Sequence, residues 1–183
     1  PEIVADKRFV GAIATDGDAD RMMAVGATIY NGKVRTYRLD GNIALELFAE
    51  GQSGVVGTTY TNDASVKRIL SSGTEFEFCD NGDVYVTHKL REHSQGKHPW
   101  QIGSEFTGHH VDLSWLPSGD GTRAAAWLAS LASTQGTTFA KIVALHPLKP
   151  QILHNFRLPA DIVLDKDNSD LTALNEQTET DKQ

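Results

Sequence analysis

Asp16, Asp18 and Asp20 alternate with two small residues in Thr15-Asp16-Gly17-Asp18-Ala19-Asp20-Arg21. On an extended or tightly looped backbone, side chains at i, i+2 and i+4 turn toward one point. Three carboxylates gathered there repel one another and invite a hard divalent cation that takes oxygen ligands. Gly17 and Ala19 keep the wall thin, so the backbone can bend and a ligand can come close. An EF-hand loop is excluded: it needs Gly at the sixth position and Glu at the twelfth, and these hold Arg21 and Ala27. The plain alternative is a solvated acidic turn. The apolar run Phe9-Val10-Gly11-Ala12-Ile13-Ala14 reads as a buried strand, which would set the loop at a strand's carboxyl end, where α/β proteins bind ligands.

The elements that must position this loop follow from patterning. Val10–Ala14 is predicted as the first strand. Asn31-Gly32 between Ala27–Tyr30 and Val34–Tyr37 is a hairpin signal. Asp40 caps a helix running to about Glu50, which Gly51 stops. Gly54–Tyr60 reads as a buried strand, Asn62 or Asp63 caps the next helix, Glu75–Cys79 alternates as a strand, and Asp83–Glu92 is helical. Val111–Trp115 reads as a strand, Thr122–Ser133 as an alanine-rich helix, and the helix from Thr137 precedes a last strand over Gln151–Leu158. Alternating strands and helices predict an α/β fold with a mixed, mainly parallel sheet between helices.

Composition bounds the function. The chain has 183 residues and a net charge of −7, of which −5 lies after Pro159. No basic face is available for nucleic acid, and no apolar run is long enough for a bilayer. One cysteine, Cys79, excludes an intrachain disulfide; with no signal-peptide pattern at the N-terminus, a cytoplasmic setting is expected.

Several separated motifs then agree with one family. Asp16-Gly17-Asp18-Ala19-Asp20-Arg21 resembles the metal loop of the phosphohexomutases. Leu39-Asp40-Gly41-Asn42-Ile43 resembles their Asp-Gly-Asp-x-Ile helix start, and Val55-Val56-Gly57-Thr58 with Thr61-Asn62 their next strand and cap. Asn81-Gly82-Asp83-Val84-Tyr85-Val86 is similar to Val-Gly-Asp-Arg-Tyr-Val. Gly103-Ser104-Glu105-Phe106-Thr107-Gly108-His109 is similar to the sugar loop Gly-(Gly/Ala)-Glu-x-Ser-Gly-His, and Ser118-Gly119-Asp120-Gly121 to Thr-Gly-Asp-Gly. Pro150-Gln151-Ile152-Leu153 with Asn155 resembles the strand leaving the third domain. The order holds over roughly residues 9–158, with the phosphoglucosamine mutases the nearest pattern.

The resemblance implies a phosphoglucomutase domain-3-like, three-layer α/β domain over residues 39–158. Residues 1–38 would be a remnant of the preceding domain carrying the metal loop, and 159–183 a disordered acidic tail. It implies Mg2+ on Asp16, Asp18 and Asp20, and transfer of a phosphoryl group between the 6- and 1-positions of a hexose phosphate. Arg21, Glu105, Thr107, Gly108 and His109 would contact substrate. Thr107 replaces the usual serine, Val84 the phosphoglucosamine mutase arginine, and Asn81 its valine. No family phosphoserine motif and no Arg-x-Ser-Gly-Thr-Glu-Pro loop is visible, so no catalytic residue is assigned and turnover by this chain alone is not expected. Two functions follow: an isomerase part whose other domains act in trans, or a non-catalytic module that binds metal and sugar phosphate.

Overall fold

A computed structural model describes residues 11–95 and 97–152. Those up to Pro150 fall in one compact unit. Strands β1 (Ala12–Thr15), β2 (Met22–Tyr30) and β3 (Lys33–Leu39) form an antiparallel three-stranded sheet, ordered β1-β2-β3. The acidic loop joins β1 to β2. Asn31 and Gly32 join β2 to β3 with φ of 50° and 70°, the pair of positive angles of a two-residue hairpin turn.

The chain then builds a second sheet. Helix α1 (Gly41–Phe48) leads to β4 (Gly54–Thr58), α2 (Asp63–Ser71), β5 (Glu75–Cys79), α3 (Asp83–Glu92), β6 (Ile102–Ser104), β7 (His110–Asp112) and β8 (Leu116–Gly119). Helices α4 (Gly121–Thr134) and α5 (Phe139–Leu145) close the described part. The strand order is β5-β4-β6-β7-β8. β4 pairs parallel with β5 and with β6, whereas β7 runs antiparallel to β6 and β8. Four of the five strands therefore point the same way.

Alternation along β4 splits the core. Val55 packs with Leu45 and Phe48 of α1, Ile69 of α2 and Leu128 of α4 on one face; Val56 packs with Val86 and Leu90 of α3, Trp100 and Val111 on the other. This is the three-layer arrangement. Right-handed crossovers explain it: the chain leaves β4 toward β5 through α2 and returns past β4 to β6 through α3, so the helices fall on opposite faces.

Side-chain caps fix the helix starts. Asp40 accepts from the amides of Asn42 and Ile43, Asn62 from Ala64, and Asp120 from Arg123. The cap of α5 is Thr138, one residue after the predicted Thr137. The sequence does not announce β8, because Pro117, Ser118 and Gly119 carry turn chemistry; proline is tolerated there since β8 is an edge strand. The predicted strand Gln151–Leu158 and the tail lie almost wholly outside the described residues. Among the described residues no helix is long and apolar enough to cross a membrane.

Candidate functional site

Three segments far apart in sequence meet at the acidic loop. Ala19 takes φ of 63° and its amide donates to the Asp16 carbonyl at 3.2 Å, which curls the loop. One carboxylate oxygen each from Asp16, Asp18 and Asp20 can be chosen so that all lie within 4.8 Å of one another. From one side, Met22 N donates to the Gly108 carbonyl at 3.0 Å, and Arg21 bridges to His109. From the other, Gly121 N donates to the Ala19 carbonyl at 2.9 Å. Gly121 must stay small: a Cβ would sit 2.3 Å from the Arg21 carbonyl oxygen. The motif before α4 is thus a backbone clamp on the acidic loop, while its Asp120 caps that helix and accepts from Trp115 Nε1 at 3.1 Å.

His109 joins the acidic loop to the loop after β6. Its Nδ1 bonds the Glu105 carboxylate and its Nε2 lies 3.0 Å from Asp20 Oδ2. Burial alone would lower its basicity, but the two carboxylates outweigh that and hold its pKa above the ordinary value. With both nitrogens protonated the ring would donate to both carboxylates. In the neutral form Nε2 would instead accept from Arg21 Nε, 3.1 Å away. Arg21 is half exposed, with Nε 3.5 Å from Asp16 Oδ2. Thr107 Oγ1 donates to Glu105 Oε2 at 3.2 Å. Glu105 is only 3 % exposed, so its carboxylate is turned inward onto His109 and Thr107.

His110 faces the opposite way, as adjacent strand residues must. Both histidines are buried. His110 Nδ1 pairs with Ser104 Oγ at 2.7 Å, and its ring meets Phe48 edge-on. Complete burial, with a smaller contribution from the charge of His109, pushes its pKa down to about 3, so it is neutral.

The acidic loop fits a hard cation on this structure's own terms. Three carboxylates converge, and Asp20 Oδ1 is buried with no hydrogen-bond partner. A buried carboxylate oxygen without a donor is costly unless a ligand fills the gap.

Sequence reasoning missed the buried carboxylate of Glu46. Glu46 on α1 accepts from Ser65 at 2.5 Å, from Arg68 Nε and Nη2 at 2.7 and 2.8 Å, and pairs with His146 Nδ1 at 2.6 Å. Arg68 on α2 is therefore held by a buried acceptor. No local spacing signals a contact between residues 22 apart.

The comparisons with known proteins point to one family. Residues 40–148 match the family model for phosphoglucomutase/phosphomannomutase, alpha/beta/alpha domain III. Phosphoglucosamine mutase of Burkholderia pseudomallei is 36 % identical over 149 residues, covering 80 % of this chain and 31 % of the relative. That of Verminephrobacter eiseniae is 36 % identical over 152 residues, 81 % of this chain and 31 % of the relative. A phosphoglucomutase/phosphomannomutase family protein of Burkholderia thailandensis shares the fold with a TM-score of 0.62 at 20 % identity, over 79 % of this chain and 30 % of that one. Parafusin, a phosphoglucomutase of Paramecium, gives 0.54 at 20 % identity, over 75 % and 24 %. The chain thus spans about a third of the length of the curated relatives it matches. With more than half its residues matched by the model, this chain belongs to the phosphoglucomutase/phosphomannomutase family and carries its α/β/α domain III.

Proposed function

We propose that this chain supplies the metal loop and the sugar loop for phosphoryl transfer on a hexose phosphate, most like that of its phosphoglucosamine mutase relatives. The observation that carries the reading is the meeting of the acidic loop with the loop after β6 through His109, which bonds both Asp20 and Glu105. Asp16, Asp18 and Asp20 would hold Mg2+. Once bound, the cation would offset charge on the transferring phosphoryl group.

The chain's own residues do the rest by binding and orienting. Arg21, half exposed beside the acidic loop, offers a guanidinium fork to phosphate oxygens. Thr107 and Glu105 meet the sugar hydroxyls; because Thr107 already donates to Glu105, a sugar hydroxyl would take over that bond. His109 contacts both Glu105 and Asp20 and so fixes them relative to each other. Gly108 holds the loop onto Met22. Residues 1–38 belong, in this reading, with the domain that precedes domain III in the family. The phosphoserine donor comes from outside these 183 residues, in the same polypeptide or in trans.

Calorimetric titration with glucosamine 6-phosphate in saturating Mg2+ tests this. Saturable binding, weakened about tenfold or more in Arg21→Ala, is the expected result. Equal binding by both proteins would remove Arg21 from the phosphate site, and no binding by the wild-type chain would end the reading.

A further inference from the structure

We propose that Tyr60 and Phe106 form an aromatic subsite that stacks on the C–H face of the hexose ring; this rests on the sugar-phosphate reading above. β4 and β6 are parallel neighbours, yet the chain leaves β4 toward β5 and leaves β6 toward β7. Their carboxyl ends therefore flank a topological switch point, the crevice where open α/β sheets bind ligands. Tyr60 lies two residues past β4 and Phe106 two residues past β6. Their rings meet edge to face with centroids 5.8 Å apart. Tyr60 is 44 % exposed and Phe106 half-buried.

The surroundings say what this pair would meet. Phe106 sits between Glu105 and Thr107. The Glu105 carboxylate is buried against His109, so the loop turns its carboxylate inward and its aromatic ring toward Tyr60. The platform is rigid. Gly41 N donates to the Phe106 carbonyl at 3.2 Å, and a Cβ on Gly41 would lie 1.9 Å from the Glu105 carbonyl oxygen, so the loop backbone rests directly on the start of α1. A pyranose presents hydroxyls at its rim and C–H groups on its faces. The rim matches the Thr107 hydroxyl, which the Glu105 carboxylate behind it orients; a C–H face matches an aromatic ring.

The test is calorimetric titration of the whole chain with glucose 6-phosphate, and separately with inorganic phosphate, in saturating Mg2+. Phe106→Leu and Tyr60→Leu keep apolar bulk and remove one ring each. Each is expected to weaken glucose 6-phosphate about 3- to 10-fold while leaving inorganic phosphate unchanged. Wild-type affinity for glucose 6-phosphate in both variants would overturn the aromatic subsite and leave the sugar-phosphate reading standing. Wild-type chain binding glucose 6-phosphate no more tightly than inorganic phosphate would overturn both.

Discussion

Glu46 and the acidic loop, both among the described residues, hold their carboxylates by opposite rules. Glu46 is buried and saturated: Ser65, both Arg68 nitrogens and His146 surround it. Burial would raise its pKa, but the hydrogen bonds from Arg68, His146 and Ser65 outweigh that and hold it below the ordinary value. Asp16, Asp18 and Asp20 are partly exposed, mutually close, and leave Asp20 Oδ1 buried without a donor. A carboxylate that ties helices together is given all its donors by the fold. The acidic loop is left short of them.

The largest predicted break in this comparison is Glu46→Ala. It leaves Ser65, Arg68 and His146 without their acceptor where α1, α2 and α5 meet. Urea unfolding should show a loss of about 3 kcal/mol, with Mg2+ affinity of the folded protein unchanged. A change of less than about 0.5 kcal/mol would mean that the saturated cluster does not hold the helices.

Three titrating groups sharpen the contrast because their windows separate. His110 is neutral in the fold and takes a proton more readily when unfolded. Its burial therefore costs stability as pH falls below 6.5, down to about 3. The slope is about 1.4 kcal/mol per pH unit for one proton. Glu46, with its lowered pKa, contributes stability that is full above 4.5 and lost as pH falls through its folded value. His109, with its raised pKa, contributes stability that is full below 6.5 and lost as pH rises through its folded value. Between pH 6.5 and 4.5 the His110 slope thus stands apart from the other two. Thermal melts of His110→Gln across that range should lose it, and an unchanged slope would assign it elsewhere.

Smaller effects follow at the seat of the sugar loop. Gly41→Ala drives a methyl group into the Glu105 carbonyl and should cost about 1–3 kcal/mol. It should also weaken hexose phosphate binding, because Glu105 and Phe106 move with that backbone. Stability and titration measurements on one preparation would separate the two losses. The smallest expected effect is Arg68→Lys: it forfeits the bidentate fork but keeps the charge near Glu46, for a loss of about 1 kcal/mol or less.

One side of this contrast, the acidic loop, was legible in the sequence, for a physical reason. The Asp16–Asp20 spacing, the Asn31-Gly32 turn, and the caps Asp40, Asn62 and Asp120 are local signals, each carried by a few consecutive residues. The acidic loop's neighbours were legible only through the family motifs, since nothing in Gly108 or Gly121 alone says which backbone they approach. The Glu46 cluster was not legible at all, because Ser65, Arg68 and His146 join it through tertiary packing. β8 hid behind Pro117 and Gly119, whose turn chemistry an edge strand can absorb. For His110, alternation along the strand implies a face opposite to that of His109, but the Ser104 hydroxyl and the Phe48 ring that bury it lie on other elements.

The measurement that bears most directly on the unsaturated cluster is a calorimetric Mg2+ titration of the chain beside Asp18→Asn, with melting temperatures taken in parallel. Saturable binding is predicted in the wild type and loss of binding in the variant. Stability without metal should stay within about 0.5 kcal/mol, since the substitution removes repulsion and no packing. Weak and equal binding in both proteins would contradict the account and leave the loop as an acidic turn whose family likeness is one of fold alone.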